Sequence, residues 1–336
     1  MSKVTIKDIA QMAQTSKTTV SFYLNGKFDK MSEETRSKIG AVIKEAKYTP
    51  SMLARGLTSK KLNLIGVIVA DITNPFSSTI VKGIDYIARK EDYQIIVGSS
   101  NLDYKYEKNY VDKMLAMGVD GFIVQPTIKF NALISKIKDE GKQIVFIDSV
   151  SDDFVGKWVK TNNYGITVEA VNQLIDKGYE NFTLITEDPN LLNVRLERRE
   201  GFVDTLSKGN IPYSVEILDN DVSSEQLEEV ISKSIKKDKK NLIFAINGKV
   251  LQKIYDVVKS KGLDIPNQVG IIGFDNWEWT HYATPSVTTI DQPTFDEGKY
   301  AAKILIDSIE HKESKIESKT FKCNIEWKDS TNISKI

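Results

Sequence analysis

The sequence predicts an α/β protein with a small all-α head at its N-terminus and a two-lobed body of parallel sheets. Three observations carry that expectation. The first sixty residues hold three short helical patterns and no strand pattern. From Leu64 onward, buried-strand runs alternate with amphipathic helical patterns. Charge divides at the same place: residues 1–61 contain 12 Lys+Arg and 5 Asp+Glu, the remainder 34 and 41. The net charge of zero for the 336-residue chain therefore conceals a basic head and an acidic body.

Val4 to Ala13 reads as the first helix, with Ile6, Ile9, Ala10 and Ala13 at helical spacing. Gln14 and Thr15 break the pattern, Ser16 caps a second helix, and Asn25-Gly26 tolerates the left-handed geometry that ends it. Two short helices joined by a tight turn are the sequence form of a helix-turn-helix, whose second helix enters the DNA major groove. A third helix follows, capped by Ser32, with Glu33 and Glu34 in its first turn and Ile39, Val42, Ile43 and Ala46 along one face. The basic charge of the segment is the footprint of a phosphate-binding module. The alternative is a small helical domain with ordinary solvated lysines, and the agreement of caps, turn and charge favours the first reading.

Pro50 stops the third helix, and Thr58 to Lys61 is a polar link. The body opens on the strand Leu64 to Ala70. Helix 77–91, strand 94–98, helix 104–117, strand 121–124, helix 130–140 and strand 143–147 follow. A second set starts near Trp158 and runs through strand 269–272. This alternation implies parallel sheets with right-handed crossovers. Two such sheets in series leave a cleft between strand C-termini, where open α/β sheets bind ligands. Crossings between lobes are expected near 148–160 and 275–295, with a last helix, 296–311, returning to the first lobe.

Several function classes are disfavoured. No apolar run approaches the roughly 20 residues that span a bilayer. Residues 1–15 are polar helix rather than a charged flank and apolar stretch, so the expected location is the cytoplasm. Cys323 is the only cysteine, and His281 and His311 are the only histidines. That leaves no disulfide framework, and neither metal nor cofactor is expected. No Gly-rich phosphate loop or nucleophile-elbow motif follows a strand, which argues against an enzyme.

Within these bounds the chain resembles the LacI/GalR family of bacterial transcription regulators. The residues that carry the resemblance are Val4 to Ala10, Thr19-Val20-Ser21, Leu24-Asn25, Ser32 to Arg36, Tyr48-Thr49-Pro50 and Ala54-Arg55-Gly56-Leu57. The runs Ser16 to Phe22 and Trp158 to Tyr164 narrow it toward regulators of uronate, ketodeoxygluconate and glycosaminoglycan-fragment breakdown. The resemblance implies a DNA-binding domain over 1–50, a hinge and linker over 51–62, and a periplasmic-binding-protein-like effector and dimerisation domain over 63–336. It also implies a homodimer on a near-palindromic operator, acting as a repressor released by ligand.

By this resemblance Lys17, Thr18 and Phe22 occupy base-reading positions. Lysine donates to guanine O6 and N7, and threonine bonds base edges or touches a thymine methyl. The family more often has arginine where this chain has Phe22, which offers an apolar edge instead; packing in the head's core is its other reading. Ser16, Thr19, Ser21 and Asn25 suit phosphate contacts and caps. In the hinge, Arg55 is expected on DNA and Leu57 as the wedge in the minor groove. The other reading of Leu57 is a buried residue of an ordinary linker.

In the body, Asn74, Phe76 and Ser77 follow the first strand; Phe76 can stack on a sugar and the polar pair can bond hydroxyls. Gln125 and Asp148 end strands, and Phe244 and Asn247 close a later one. Arg198 and Asp275 match the family's ligand-binding arginine and aspartate. Asn247-Gly248 and Asn162-Asn163 stand where the family usually has an aspartate, so two carboxylates are missing from the cleft. An anionic ligand then meets less repulsion, which fits a sugar acid held by Arg198 and Lys160. For Asp71, Asp148 and Asn163 a cap or turn role is the other reading. Trp277-Glu278-Trp279 lines the cleft mouth or packs between lobes. The dimer interface is expected on the helix carrying Ile80, Ile84 and Ile87, and near Leu115 to Gly118. A transport-type sugar-binding protein is the competing reading; it would need the body and not the head.

Overall fold

A computed structural model describes residues 4–24, 26–48, 61–150, 154–219, 223–311 and 317–332. Two compact units make up the chain, residues 1–62 and 63–336.

In the first unit, α1 spans Ile6–Met12, α2 Lys17–Leu24 and α3 Glu33–Glu45. Each start has a side-chain cap. Thr5 accepts from the Asp8 N–H while the Asp8 carboxylate accepts from the Thr5 N–H, a reciprocal capping box. Ser16 Oγ accepts from the Thr19 N–H at 3.0 Å, and Ser32 Oγ from the Thr35 N–H at 3.2 Å. Gly26, at φ +69°, takes the left-handed turn after α2. The core is Ile9, Ala10, Ala13, Val20 and Ile39, with Tyr23, Val42 and Ile43 packed on it. Gly40 lies under Tyr23, where a Cβ would sit 2.6 Å from the tyrosine oxygen. So small a core depends on such close fits.

The second unit has two lobes. The first contains β1 (Leu64–Val69), α4 (Pro75–Lys90), β2 (Gln94–Ser99), α5 (Tyr104–Met117), β3 (Gly121–Val124), α6 (Asn131–Asp139), β4 (Gln143–Ile147) and β5 (Lys157–Thr161). The second contains α7 (Asn163–Asp176), β6 (Asn181–Glu187), α8 (Asn193–Lys208), β7 (Tyr213–Leu218), α9 (Ser224–Ser234) and β8 (Asn241–Ala245). It continues through α10 (Gly248–Ser260), β9 (Val269–Phe274), α11 (Trp279–Tyr282) and β10 (Thr288–Asp291). Then α12 (Thr294–Ile309) returns to the first lobe, and β11 (Lys319–Phe321) and β12 (Asn324–Glu326) finish the sheets. Strand order is β11-β5-β4-β3-β1-β2 in one sheet and β12-β10-β9-β8-β6-β7 in the other. All described pairings are parallel except β10 with β12.

The structure corrects the expected crossings. Lys157–Thr161 stays in the first sheet, where Phe146 pairs with Trp158. The first crossing therefore follows Thr161 rather than lying at 148–160. The second, Asp291 to Thr294, falls within the expected range. A third, between Phe321 and Asn324, was not expected. The three are tied together. Thr161 Oγ1 donates to Gln292 Oε1 at 3.2 Å, the Asn162 N–H donates to the Phe321 carbonyl at 3.0 Å, and the Cys323 N–H donates to Asn162 Oδ1 at 2.8 Å.

Within the first lobe α12 lies against α4 at unusually short range. A Cβ on Gly83 would meet the Phe295 carbonyl at 2.2 Å, and one on Gly298 the Ile80 carbonyl at 2.2 Å. Ile80 and Ile84 are completely buried in this contact's core. These two side chains therefore belong to the lobe's own core, and a partner surface on this helix would use other residues of it. On the same stretches it is Tyr86 and Met117 that are exposed.

Candidate functional site

The head presents α2 as its polar element. Ser16, Lys17 and Thr18 are exposed; Thr19, Ser21 and Phe22 are half-buried. Among the described residues, the side chains packed on the head's core include Tyr23 and Leu24 but not Phe22. Tyr23 meets Phe28 edge-on at 5.7 Å, and Arg36 lies over Phe28 at 3.9 Å. Ser16 and Thr19 are engaged as a capping pair, with their hydroxyls 2.8 Å apart. Asn25, Arg55 and Leu57, with the rest of 51–60, lie outside the described residues.

In the body, strand ends from both sheets converge on a cavity of about 260 Å³. The first lobe contributes Asp71, Asn74, Phe76, Ser77, Gln125 and Asp148. The second contributes Glu187, Arg195, Arg198, Asn247, Lys249 and Asp275, and Gln292 comes from the second crossing. Local sequence explains each placement. Asn74 caps α4 by accepting from the Phe76 N–H at 2.9 Å, with Pro75 pre-set at the first helical position. That turns Phe76 and Ser77 inward. Asn247 caps α10 by accepting from the Val250 N–H at 2.9 Å. Arg195 and Arg198, three apart, share one face of α8.

Gln125 is a hub. Its Oε1 accepts from the Ala70 N–H at 2.9 Å and from Ser77 Oγ at 3.2 Å, and its Nε2 donates to Asp148 Oδ2 at 2.7 Å. Gln292 plays the same part at the second crossing. Its Nε2 donates to Asp275 Oδ1 at 2.6 Å, and its Oε1 accepts from Arg198 Nη2 at 2.9 Å. The other oxygen of Asp275 accepts from the Gly248 N–H at 2.9 Å.

Arg198 is 4% exposed and lies flat over Phe274 at 3.6 Å. Its Nε donates to Asn163 Oδ1 at 2.8 Å, and its Nη1 to the Ile246 carbonyl at 2.9 Å. With Gln292, these are three neutral acceptors; two of the five guanidinium N–H bonds remain. Among the described residues no carboxylate is hydrogen-bonded to Arg198. Arg195 differs: it is ion-paired with Glu187, which also accepts from Asn247 Nδ2 at 2.8 Å. Burial lowers the proton affinity of Arg195, with Glu187 opposing that effect. Burial pushes the Asp148 carboxyl up to about 6, while Arg198 and the Gln125 hydrogen bond pull it down.

Backbone strain collects here as well. Asn101, Leu102, Asp148 and Asp275, all lining the cavity, have φ of +52°, +59°, +68° and +72°.

Two sequence-assigned residues sit elsewhere. Lys160 is ion-paired with Glu197 at 2.7 Å and is not among the lining residues. Phe244 is fully buried in the second lobe's core, against Phe202 and Phe274. Its strand is buried on both faces, so its last aromatic turns inward. Trp279 packs on the same core, and Trp277 covers Gly248; neither lines the cavity. Conversely, Glu187, Arg195, Lys249, Gln292, Asn101 and Leu102 went unread. The spacing of Arg195 one turn before Arg198 was a usable signal; Gln292 follows a strand too short to recognise.

The cavity has the chemistry of a binding site. Its carboxylates and amides accept and donate to hydroxyls, Phe76 offers an apolar face, and its lining includes no histidine or cysteine. Among the described residues no group of side chains could hold a metal ion, and no helix is long and apolar enough to cross a membrane.

Residues 63–327 match the model described as "Periplasmic binding proteins and sugar binding domain of LacI family", and residues 5–51 match "Bacterial regulatory proteins, lacI family". The chain is 34% identical over 309 residues to the HTH-type transcriptional regulator KdgR of Bacillus subtilis (strain 168), covering 91% of each chain. It is 33% identical over 315 residues to the probable HTH-type transcriptional regulator EndR of Paenibacillus polymyxa, covering 92% of each. Its fold is similar to that of the lac repressor dimer bound to operator and an anti-inducer, with a TM-score of 0.84 and 22% identity over 98% of this chain and 99% of that one.

Proposed function

The chain belongs to the LacI family of bacterial regulatory proteins, a family of DNA-binding transcription regulators, and on that premise we propose that it is a cytoplasmic, dimeric repressor of carbohydrate catabolism released by a monosaccharide-sized sugar acid. The observation that carries the effector class is Arg198. A buried guanidinium whose hydrogen-bond partners are all neutral keeps two N–H donors for a ligand carboxylate, which they would hold through charge-assisted bonds. Asp275, Asp148, Gln125 and Asn247 are placed for the hydroxyls, and Phe76 for the apolar face of the ring. Asn74 and Ser77 complete the first-lobe wall; Lys160 and Phe244 have no part in it. The cavity of about 260 Å³ is below the range of about 300–1,000 Å³ that suits drug-sized ligands. A single sugar fits that size better than an oligosaccharide.

Residues 1–50 hold DNA, 51–62 form the hinge, and 63–336 hold effector and partner. Lys17, Thr18 and Phe22 read bases; Ser16, Thr19, Ser21 and Asn25 position the helix; Arg55 and Leu57 engage the minor groove. An isologous two-fold pairs two heads with the halves of a near-palindromic operator. Effector closes the lobes about the three crossings, which separates the paired hinges. The coupling of effector to operator is reciprocal and typically 1–3 kcal/mol. A transport-type sugar-binding protein has no use for the matched head, and the site binds rather than catalyses.

The test is calorimetry with galacturonate, glucuronate, 2-keto-3-deoxygluconate, galactose, ribose and hypoxanthine. A sugar acid is expected to bind most tightly. A neutral sugar or purine binding more tightly than every sugar acid overturns the effector class.

A further inference from the structure

Glu297 lies outside the cavity lining, and the effector reading makes no use of it. It sits in the first turn of α12, just after the second crossing. Its side chain is completely buried, and neither carboxyl oxygen receives a hydrogen bond among the described residues. An ionised carboxylate in that position would carry a large desolvation cost with nothing to offset it. A neutral carboxylic acid carries far less.

The charged groups that act on it come from the floor of the cleft. Asp148, at the end of β4, and Asp275, at the end of β9, both oppose its ionisation, while Arg198 on α8 favours it. Cys323, in the third crossing, is also within its field. From α4, Ile80, Gly83 and Ile84 lie against this helix and none titrates, while Tyr86 packs on Phe295 at the exposed end of the seam, its phenol held below the usual value by its hydrogen bond to Lys90. On its own helix Asp296 is ion-paired with Lys299 at the surface. Burial is the main reason its acid form persists, and it pushes the carboxyl up to about 8. Three carboxylates thus share the field of one unpaired arginine.

We propose that Glu297 is a proton carrier beneath the effector cleft, and that an acidic effector binds best when this carboxyl is protonated. The inference rests on the sugar-acid reading above. A ligand carboxylate on Arg198 neutralises the one cation that favours the Glu297 anion and adds a negative charge beside it. Bound effector therefore holds the Glu297 proton more tightly. By linkage, loss of that proton weakens the effector. Carbohydrate acids would then release the operator poorly in an alkaline cell.

The experiment measures the affinity of whichever of the three sugar acids binds at pH 7, repeated from pH 7 to 9.5, on the wild-type protein and on Glu297→Gln. Asp148, pushed up to about 6 and also in the field of Arg198, is mostly ionised by the start of this window. Whatever remains of its titration is shared by Glu297→Gln, so the difference between the two profiles isolates Glu297. The ligands stay ionised across the window. Wild-type affinity is expected to fall about tenfold, the consequence of a tenfold change in the acid's proton affinity. Glu297→Gln, fixed in the neutral form, should stay flat. Glu297→Met, also neutral, is the second variant should the amide fold poorly. Equal pH dependence in wild type and variants overturns the inference while leaving the effector class standing. Binding of no sugar acid at any pH overturns both.

Thermal unfolding gives a ligand-free check. The acid is easier to ionise unfolded than folded, so its contribution to stability is complete below the unfolded value and declines as pH rises. Wild type should therefore lose stability relative to Glu297→Gln between about pH 4.5 and pH 8, then run parallel above it. A constant difference across that window contradicts a buried proton on Glu297.

Discussion

Replacing Arg198 with alanine is expected to abolish the effector response while leaving operator affinity within about threefold. Two effects combine at the cavity. The ligand carboxylate loses its charge-assisted bonds, a loss on the order of 2–5 kcal/mol for one partner of a buried charge pair. The protein also loses a brace, because Asn163, the Ile246 carbonyl and Gln292 all accept from this one guanidinium. Gln292 Oε1 keeps its bond from Thr161 Oγ1, but Asn163 Oδ1 loses this donor, and leaving a buried acceptor unmet costs about 1–3 kcal/mol. A lower melting temperature is therefore expected alongside the lost response. Arg198→Lys separates the two effects. It keeps the charge, but an ammonium cannot reproduce the planar fork that serves three acceptors and a ligand. Calorimetry should find it intermediate, with affinity reduced and not erased. Wild-type affinity for a sugar acid in Arg198→Ala would remove this residue from the site.

Lys17→Ala is expected to cost about 1–3 kcal/mol on operator and much less on random DNA, relaxing discrimination at one base pair. Lys17 is exposed in the first turn of α2, free to reach a base edge. Affinity for any duplex should also fall steeply with salt, since the head's lysines displace condensed counterions. Phe22 is the natural companion. It is half-buried but not packed on the head's core, so Phe22→Ala should reduce operator affinity without unfolding the head. Equal losses on operator and random DNA in a competition assay would mean that Lys17 touches only phosphate.

Much of this was legible in the chain because it is local. A cap and its helix lie within four residues of each other, and Ser16 and Ser32 were readable on those terms; Thr5, read as part of the first helix, is instead its cap. Strand C-termini are also local features, which is why Asn74, Gln125, Asp148, Asn247 and Asp275 stood out in the sequence, and all five line one cavity. What was missed depends on contacts between distant residues. Lys160 looked free for a ligand, but its ion-pair partner Glu197 is 37 positions away and arrives only with α8. Whether Lys157–Thr161 joins the first or second sheet is decided by pairing with β4 and with β11, more than 150 residues later. Gln292 binds Arg198 and Asp275 from the position just after a four-residue strand without a periodic signature. Glu297 looks in sequence like an ordinary acidic residue of a helix first turn, and only the packing of α12 buries it.

On the proposed function, occupancy of the cleft controls occupancy of DNA. Fluorescence anisotropy of a labelled near-palindromic operator, titrated with the full-length protein, measures it directly when a sugar acid is added at saturation. Wild type should bind the operator as a dimer and be released by the acid, with apparent affinity falling about fivefold to 150-fold, as a coupling of 1–3 kcal/mol requires. Arg198→Ala should stay bound. An operator complex that no sugar acid weakens, but that a neutral sugar or purine releases from wild type and Arg198→Ala alike, would contradict the account.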